Sequence, residues 1–426
     1  RMFAANNSVP IPSPRLGMYA SGTAFMRNGA EFRGIGINHW GVFVNEVTSL
    51  GVAGDYVTDL TAIKNTHGFP FVRMSFGMFS RASWFTNWYS NQATFFAKLD
   101  LVVAQCEALG LGIIAVICWS IRGFTEAVFD ITGAFAAPKD LAQRHTAAAQ
   151  LFEQFVTSIV SRYANSPAIW VWEIANEGAS QVGVEYFSTW KVDGTGVDGG
   201  ATPIPINWGT RPSGGAYQAV DKMTFEGWTQ FSKNITALIR ANDPHQRLIQ
   251  SGNALGNSFA VGAQTTNSLA ADTVAQWNGI SSTNGVPWIA YRDKEYPSIC
   301  MHIYPQSLAN SRFFNGAEKT GPEIIALCRG WADQVGKPFM LSEWGATKWG
   351  DPVDETSVDA AAELANFNAE LAAAVASANV SAVWNYAGDL AGGSAWMLWA
   401  LNDSRRTYQL TAIAAQNAAY RSAGYQ

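Results

Sequence analysis

Apolar and polar positions along this chain alternate between two patterns. Short β-branched or apolar runs have the length of buried strands: EFRGIGIN (31–38), FVRMSF (71–76), LGIIAVIC (111–118), AIWVWEIA (168–175), RLIQSG (247–252), SICMHIY (298–304), PFMLSE (338–343) and SAVWNY (381–386). Between them, apolar residues recur three and four apart, as in 92–109 (Phe95, Leu99, Val102, Cys106, Leu109) and 151–163 (Leu151, Phe155, Ile159, Tyr163). Helical runs are also expected over 218–241, 322–335, 358–379 and 408–421. Strands alternating with helices imply a parallel sheet, and eight such units imply an α/β fold closed as a (β/α)8 barrel, the TIM barrel. The expectation is one domain over 1–426, with long insertions at about 178–246 and 253–297 rising at the C-terminal face.

Composition narrows the chemistry. Hydrophobic residues make up 48% of the 426, enough for a large core, yet no apolar run reaches the ~18 residues of a membrane span. A net charge of −5 offers no basic field for phosphates, which argues against nucleic acid as a partner. Charged residues are only 14%, against a usual ~25%, while 17 Trp, 13 Tyr and 24 Phe are abundant. Sugar rings present apolar faces to aromatic planes and hydroxyls to Asn, His and Tyr, so the balance suits a neutral carbohydrate ligand; an aromatic-rich core is the alternative explanation. Cys106, Cys118, Cys300 and Cys328 show no CxxC spacing, which argues against zinc and redox motifs and leaves mostly free thiols, with one disulfide open. The glycine-rich DGTGVDGG (193–200) lacks a preceding strand, and Pro203 and Pro205 exclude the helix a nucleotide loop requires. It reads as a loop, with Asp193 and Asp198 as candidate calcium ligands. Arg1 in place of Met points to a cut or engineered start, which leaves export open.

In a barrel of this kind, the active site forms where strands end at the C-terminal face. Polar residues there are Arg73 on the second strand, Asn176 and Glu177 ending the fourth, His302 and Tyr304 on the sixth, Glu343 ending the seventh and Trp384 on the eighth. Carboxylates ending strands four and seven can face each other across one bond, as glycoside hydrolysis needs: an acid for the leaving oxygen and a carboxylate for the anomeric carbon. Glu173, four residues before Glu177 on one strand, shares its face and points inward. A buried carboxylate there needs a cation, Arg33 or Arg73.

At these residues the chain resembles glycoside hydrolase clan A, most closely family 5, which includes cellulases and mannanases. The resemblance covers nearly the whole chain and rests on VRMS (72–75), WVWEIANE (170–177), HIYP (302–305), LSEWG (341–345) and VWNY (383–386), in the family's order. It implies Glu177 as acid/base, Glu343 as nucleophile, Asn176 on the sugar 2-hydroxyl, Arg73 supporting the nucleophile, His302 and Tyr304 lining the site, and Trp384 stacking under the sugar. Many family members carry a His or an Asn pair at the end of strand three, where this chain has Cys118, Trp119 and Ser120, so the sugar stays open. Trp119 is a candidate sugar contact, and so is Trp40 in the strand-one end Asn38, His39, Trp40. Trp344, Trp349, Trp396 and Trp399 are weaker candidates.

The resulting expectation is a retaining β-glycosidase, secreted and monomeric, that needs no cofactor or metal. It would be endo-acting on a β-1,4-linked glucan or mannan by double displacement. An exo-acting β-glycosidase, a transglycosylase on oligosaccharides and a non-catalytic carbohydrate-binding barrel are the alternatives; the paired carboxylates argue against the last.

Overall fold

The computed structural model describes residues 15–39, 42, 56–77, 87–133, 136–181, 223, 225–253, 293–303, 313–314, 317–318, 320–344, 360–383 and 404–425. The chain enters through a small antiparallel sheet of β1 (Met18–Ser21), β2 (Ala24–Arg27) and β3 (Ala30–Glu31). Asn28 and Gly29, both at positive φ (51° and 83°), make the tight turn between β2 and β3, the backbone an Asn-Gly pair favours in hairpins. Its consequence is a shorter first barrel strand than the sequence pattern suggests: Glu31 pairs back onto β2, and β4 begins only at Gly34 (Gly34–Asn38).

All eight expected barrel strands are present. After β4 come β5 (Phe71–Ser75), β6 (Gly112–Cys118), β7 (Ile169–Ala175), β8 (Leu248–Gln250) and β9 (Ile299–Ile303). A short pair, β10 (Phe313–Phe314) and β11 (Ala317–Glu318), precedes β12 (Phe339–Trp344) and β13 (Val380–Val383). The barrel strands form one sheet in the order β8-β7-β6-β5-β4-β13-β12-β9, every ladder parallel. Arg73 on β5 meets Glu343 on β12, three places away in that order, so the sheet curls into a nearly closed barrel.

The described helices are α1 (Tyr56–Thr61), α2 (Gln92–Leu109), α3 (Ile121–Thr132), α4 (Ala147–Tyr163), α5 (Gly178–Gln181), α6 (Phe225–Asn242), α7 (Gly321–Gln334), α8 (Ala360–Ser377) and α9 (Ser404–Ser422). Local chemistry sets their ends. Thr320 and Glu323 cap each other at the start of α7, Thr146 caps α4 one turn ahead of the apolar repeat, and Gly110 closes α2 in the left-handed conformation. α6 lies inside the segment expected as the first insertion, where the sequence also marks a helical run.

Two cores follow from strand alternation. Outward residues such as Ile35, Ile37, Val72, Met74, Trp172 and Leu341 pack beneath the helices. Inward residues Phe71, Ile114, Val171, Leu248, Met340 and Val380 fill the barrel floor together with Met18 and Phe25 of the hairpin, which plugs it. All four cysteines are free and buried, so no disulfide forms. Among the described residues no helix is long and apolar enough to cross a membrane.

Candidate active site

Above the floor the barrel interior turns polar, and Arg73 is its hub. The guanidinium is fully buried and pairs with the carboxylates of Glu173 and Glu343. Its remaining N–H groups donate to Asn38 Oδ1 (2.9 Å) and Asn176 Oδ1 (2.9 Å) and reach His302 Nε2 at 3.4 Å. Burial alone would lower the Arg73 pKa, but the charges of Glu173 and Glu343 outweigh it and raise it, so Arg73 stays a cation. Glu173 is wholly buried, points inward and takes Arg73 as its cation, with Gln250 Nε2 on its other oxygen. Arg33 pairs with Glu31 instead, at 3.1 Å.

Period two cannot by itself bring both expected carboxylates inward. Leu341 and Trp344 of β12 face the outer core, and plain alternation would send Glu343 out with Leu341. A break in the β12 register between Leu341 and Glu343 turns Glu343 in, toward Arg73, and sends Trp344 into the core against Phe367. Trp344 is therefore a packing residue, which corrects its weak candidacy as a sugar contact. At the end of β7 the break is a left-handed residue: Glu177 has φ 49°, a conformation costing roughly 1–2 kcal/mol for a residue with a Cβ. Its amide N–H donates to Gly252 O at 2.7 Å.

These breaks bring the two glutamates together. His302 Nδ1 lies 3.1 Å from Glu177 Oε1 and 3.5 Å from Glu343 Oε2, and one donor atom of each of the three residues falls within 4.8 Å of the others. The Glu343 side chain is 5% exposed and that of Glu177 36%, which puts Glu177 on the solvent side. Arg73 has only N–H to offer, so the His302 tautomer that fits both contacts carries its proton on Nδ1, toward the carboxylates, with Nε2 facing the guanidinium. The trio has metal-ligand spacing, but in this tautomer the imidazole presents a donor rather than a lone pair.

Trp119, half-buried, lies with its ring 5.4 Å from the Arg73 guanidinium carbon, so it borders the site from the end of strand three. At the strand-one end, Asn38 donates to the Ser342 and Ala382 carbonyls while its Oδ1 accepts from Arg73, and His39 Nε2 pairs with Asp59 of α1 at 3.2 Å. Trp40, Tyr304, Trp384, Trp349, Trp396, Trp399, Asp193 and Asp198 lie outside the described residues. The polar run Ser251, Gly252, Asn253 ends the fifth strand and touches the Glu177 turn. The same strand-end rule that picks out Glu177 and Glu343 reaches it, yet it stands outside the expected set.

Comparison with known proteins identifies the fold and the family. A mannan endo-1,4-beta-mannosidase A of Podospora anserina is 33% identical over 82 residues, a match spanning 19% of this chain and 21% of that protein. Among solved structures, an endo-1,4-beta-mannanase from Rhizomucor miehei superposes with a TM-score of 0.60 at 17% identity, covering 95% of this chain and 99% of that one. A beta-glucanase from Saccharophagus degradans gives 0.53 at 14% identity, covering 96% and 98%. Both share the fold. The family model described as Cellulase (glycosyl hydrolase family 5) matches residues 27–402, nearly the whole chain, and the protein is a glycoside hydrolase belonging to that family.

Proposed function

We propose that this glycosidase is a retaining, endo-acting β-1,4-glycanase with Glu343 as nucleophile and Glu177 as acid/base, and that its substrate is a β-mannan before a β-glucan. The observation that carries the mechanism is the close approach of the carboxylates, an oxygen of each within 4.8 Å of the other. Retaining enzymes hold the pair about 5–5.5 Å apart, whereas inversion needs about 6.5–9.5 Å to admit a water. Arg73 holds Glu343 in place for attack on the anomeric carbon, while Glu177, at the exposed side, meets the leaving oxygen and then the incoming water. His302 donates its Nδ1 proton between them. Mannan is favoured by the local match to a mannosidase and by the mannanase likeness in fold, glucan by the glucanase likeness. A polymer of this kind does not cross a membrane, so the reading carries secretion with it.

The test is stereochemical. Proton NMR of the first product from a β-1,4-mannan oligosaccharide should show the β-anomer, and an initial α-anomer would overturn retention. With an aryl β-glycoside and azide, Glu177→Ala should yield the β-azide and Glu343→Ala the α-azide; swapped products would reverse the two roles. Product sizes on mannan, glucan and xylan then decide the polymer and endo action.

A further inference from the structure

We propose that Asn253 is a positioning residue for the acid/base, acting through the backbone of the turn that carries Glu177; this rests on Glu177 being that acid/base. Two contacts flank the strained residue. On one side the Glu177 N–H donates to the Gly252 carbonyl at 2.7 Å, and on the other the Ala179 N–H donates to Asn253 Oδ1 at 3.2 Å. Gly252 (φ 69°) permits the close approach, because a Cβ there would overlap the Ala175 carbonyl oxygen and the Glu173 carboxylate. Asn253 is fully buried, and its orientation is dictated by its neighbours. Its Nδ2 faces the Asp293 carboxylate, donating to Oδ1 at 3.0 Å, so its oxygen must face the Ala179 amide.

The chain of contacts continues away from the site. Asp293 is itself buried, and its backbone carbonyl accepts from Lys337 Nζ at 2.8 Å, which also reaches the Tyr296 carbonyl at 2.7 Å. Lys337 precedes β12, the strand that carries Glu343. One line of hydrogen bonds thus ties the turn bearing Glu177 to the root of the strand bearing Glu343, with Asn253 as its side-chain link. A residue placed this way would set the acid/base relative to the leaving oxygen without touching substrate.

The experiment compares two leaving groups on the same preparation. Each kcat/KM is measured for β-1,4-mannotetraose, whose sugar leaving group needs a proton, and for 2,4-dinitrophenyl β-mannobioside, whose leaving group does not; the gluco-counterparts replace them if the enzyme prefers glucan. The ratio of the two is independent of the fraction of folded enzyme. In Asn253→Ala and Asn253→Asp the mannotetraose value should fall about 10- to 100-fold and the dinitrophenyl value no more than about 3-fold, the loss expected of a displaced catalytic group. Azide should raise kcat on the dinitrophenyl substrate in both variants. The double variant Asn253→Asp with Asp293→Asn exchanges the amide and the carboxylate, and should recover most of the ratio. Equal losses on both substrates, or no loss, would overturn the proposal and leave Asn253 a packing residue. Glu177→Ala is the control: if it lacks the selective loss, the acid/base reading itself fails, whereas selective loss there with none at Asn253 sinks only this inference.

Discussion

Arg73 and Arg247 are both fully buried, yet the two ends of the barrel treat them in opposite ways. At the floor end, Arg247 donates to the backbone carbonyls of Ile169, Ala164 and Ser166 at 2.8, 2.7 and 2.8 Å and to one carboxylate, Asp243, at 2.7 Å. Burial lowers its pKa, and Asp243 offsets this only in part. At the mouth, the partners of Arg73 are side chains from β4, β7, β9 and β12 and the β7 turn. There the two carboxylates win over burial and the pKa rises. One pair sets one cation against one carboxyl group, while Arg73 is shared by two, Glu173 and Glu343, a surplus of acidic groups at the mouth. Backbone acceptors staple a fold; surplus acidic groups at a mouth are of use where positive charge develops on a sugar in the transition state.

Removing the proposed nucleophile and acid/base should have the largest effect. Glu343→Gln and Glu177→Gln should each lower kcat on polysaccharide by about 10²–10⁴, the usual scale of lost acid–base help or more, with melting temperature nearly unchanged. Retained activity above about a tenth of wild type in either folded variant would return these residues to the ordinary polar rim.

The two arginines should then separate by readout. Arg247→Met strands the buried Asp243 and should destabilise the protein by about 3–5 kcal/mol in urea unfolding, while kcat/KM per folded molecule stays within about twofold. Arg73→Met strands Glu173 and Glu343 and should lose both stability and activity. Comparable activity losses in the two variants would erase the distinction between staple and site. Glu173→Gln removes the surplus acidic group while keeping an acceptor for Arg73, and should lower kcat about tenfold, or about 1.4 kcal/mol, with little change in melting.

Why the mouth was easier to read than the floor is a matter of which signals are local. The eight strands carry largely apolar runs, and Glu177 and Glu343 stand where two of those runs stop, so position along the chain suffices to pick them out. Turning Glu343 inward depends on a register break against β9 and β13, which is settled between strands and leaves no mark in the spacing, and bringing Glu177 to the site beside its neighbour Asn176 depends on a positive φ. The hairpin plug was visible in principle, since Asn28-Gly29 sits between short apolar stretches, but the run from Glu31 to Asn38 concealed the break at Phe32 and Arg33. Asn253 and Asp293 meet across 40 residues, and neither belongs to a periodic element.

A third buried ionisable group, Glu370 on α8, sharpens the contrast because desolvation rather than a charge partner governs it. Its side chain is almost wholly buried, its Oε2 has no hydrogen-bond partner, and burial pushes its pKa up to about 8. In the unfolded chain a glutamate releases its proton near the ordinary ~4.3. Between those two values the folded protein holds a proton that the unfolded chain has lost, so rising pH favours unfolding. The contribution of neutral Glu370 is therefore complete below ~4.3, declines across the window and is lost above about 8, by an amount on the order of a few kcal/mol. Gln in its place keeps shape and polarity but has no proton to lose. Melting curves of wild type and Glu370→Gln should coincide near pH 4 and diverge progressively toward pH 9, the variant melting a few degrees higher at the alkaline end. Catalytic carboxylates and other titrating groups contribute equally to both curves, so the difference isolates this one side chain. Parallel curves over the whole range would mean that Glu370 is ionised in the folded protein and finds its compensation elsewhere.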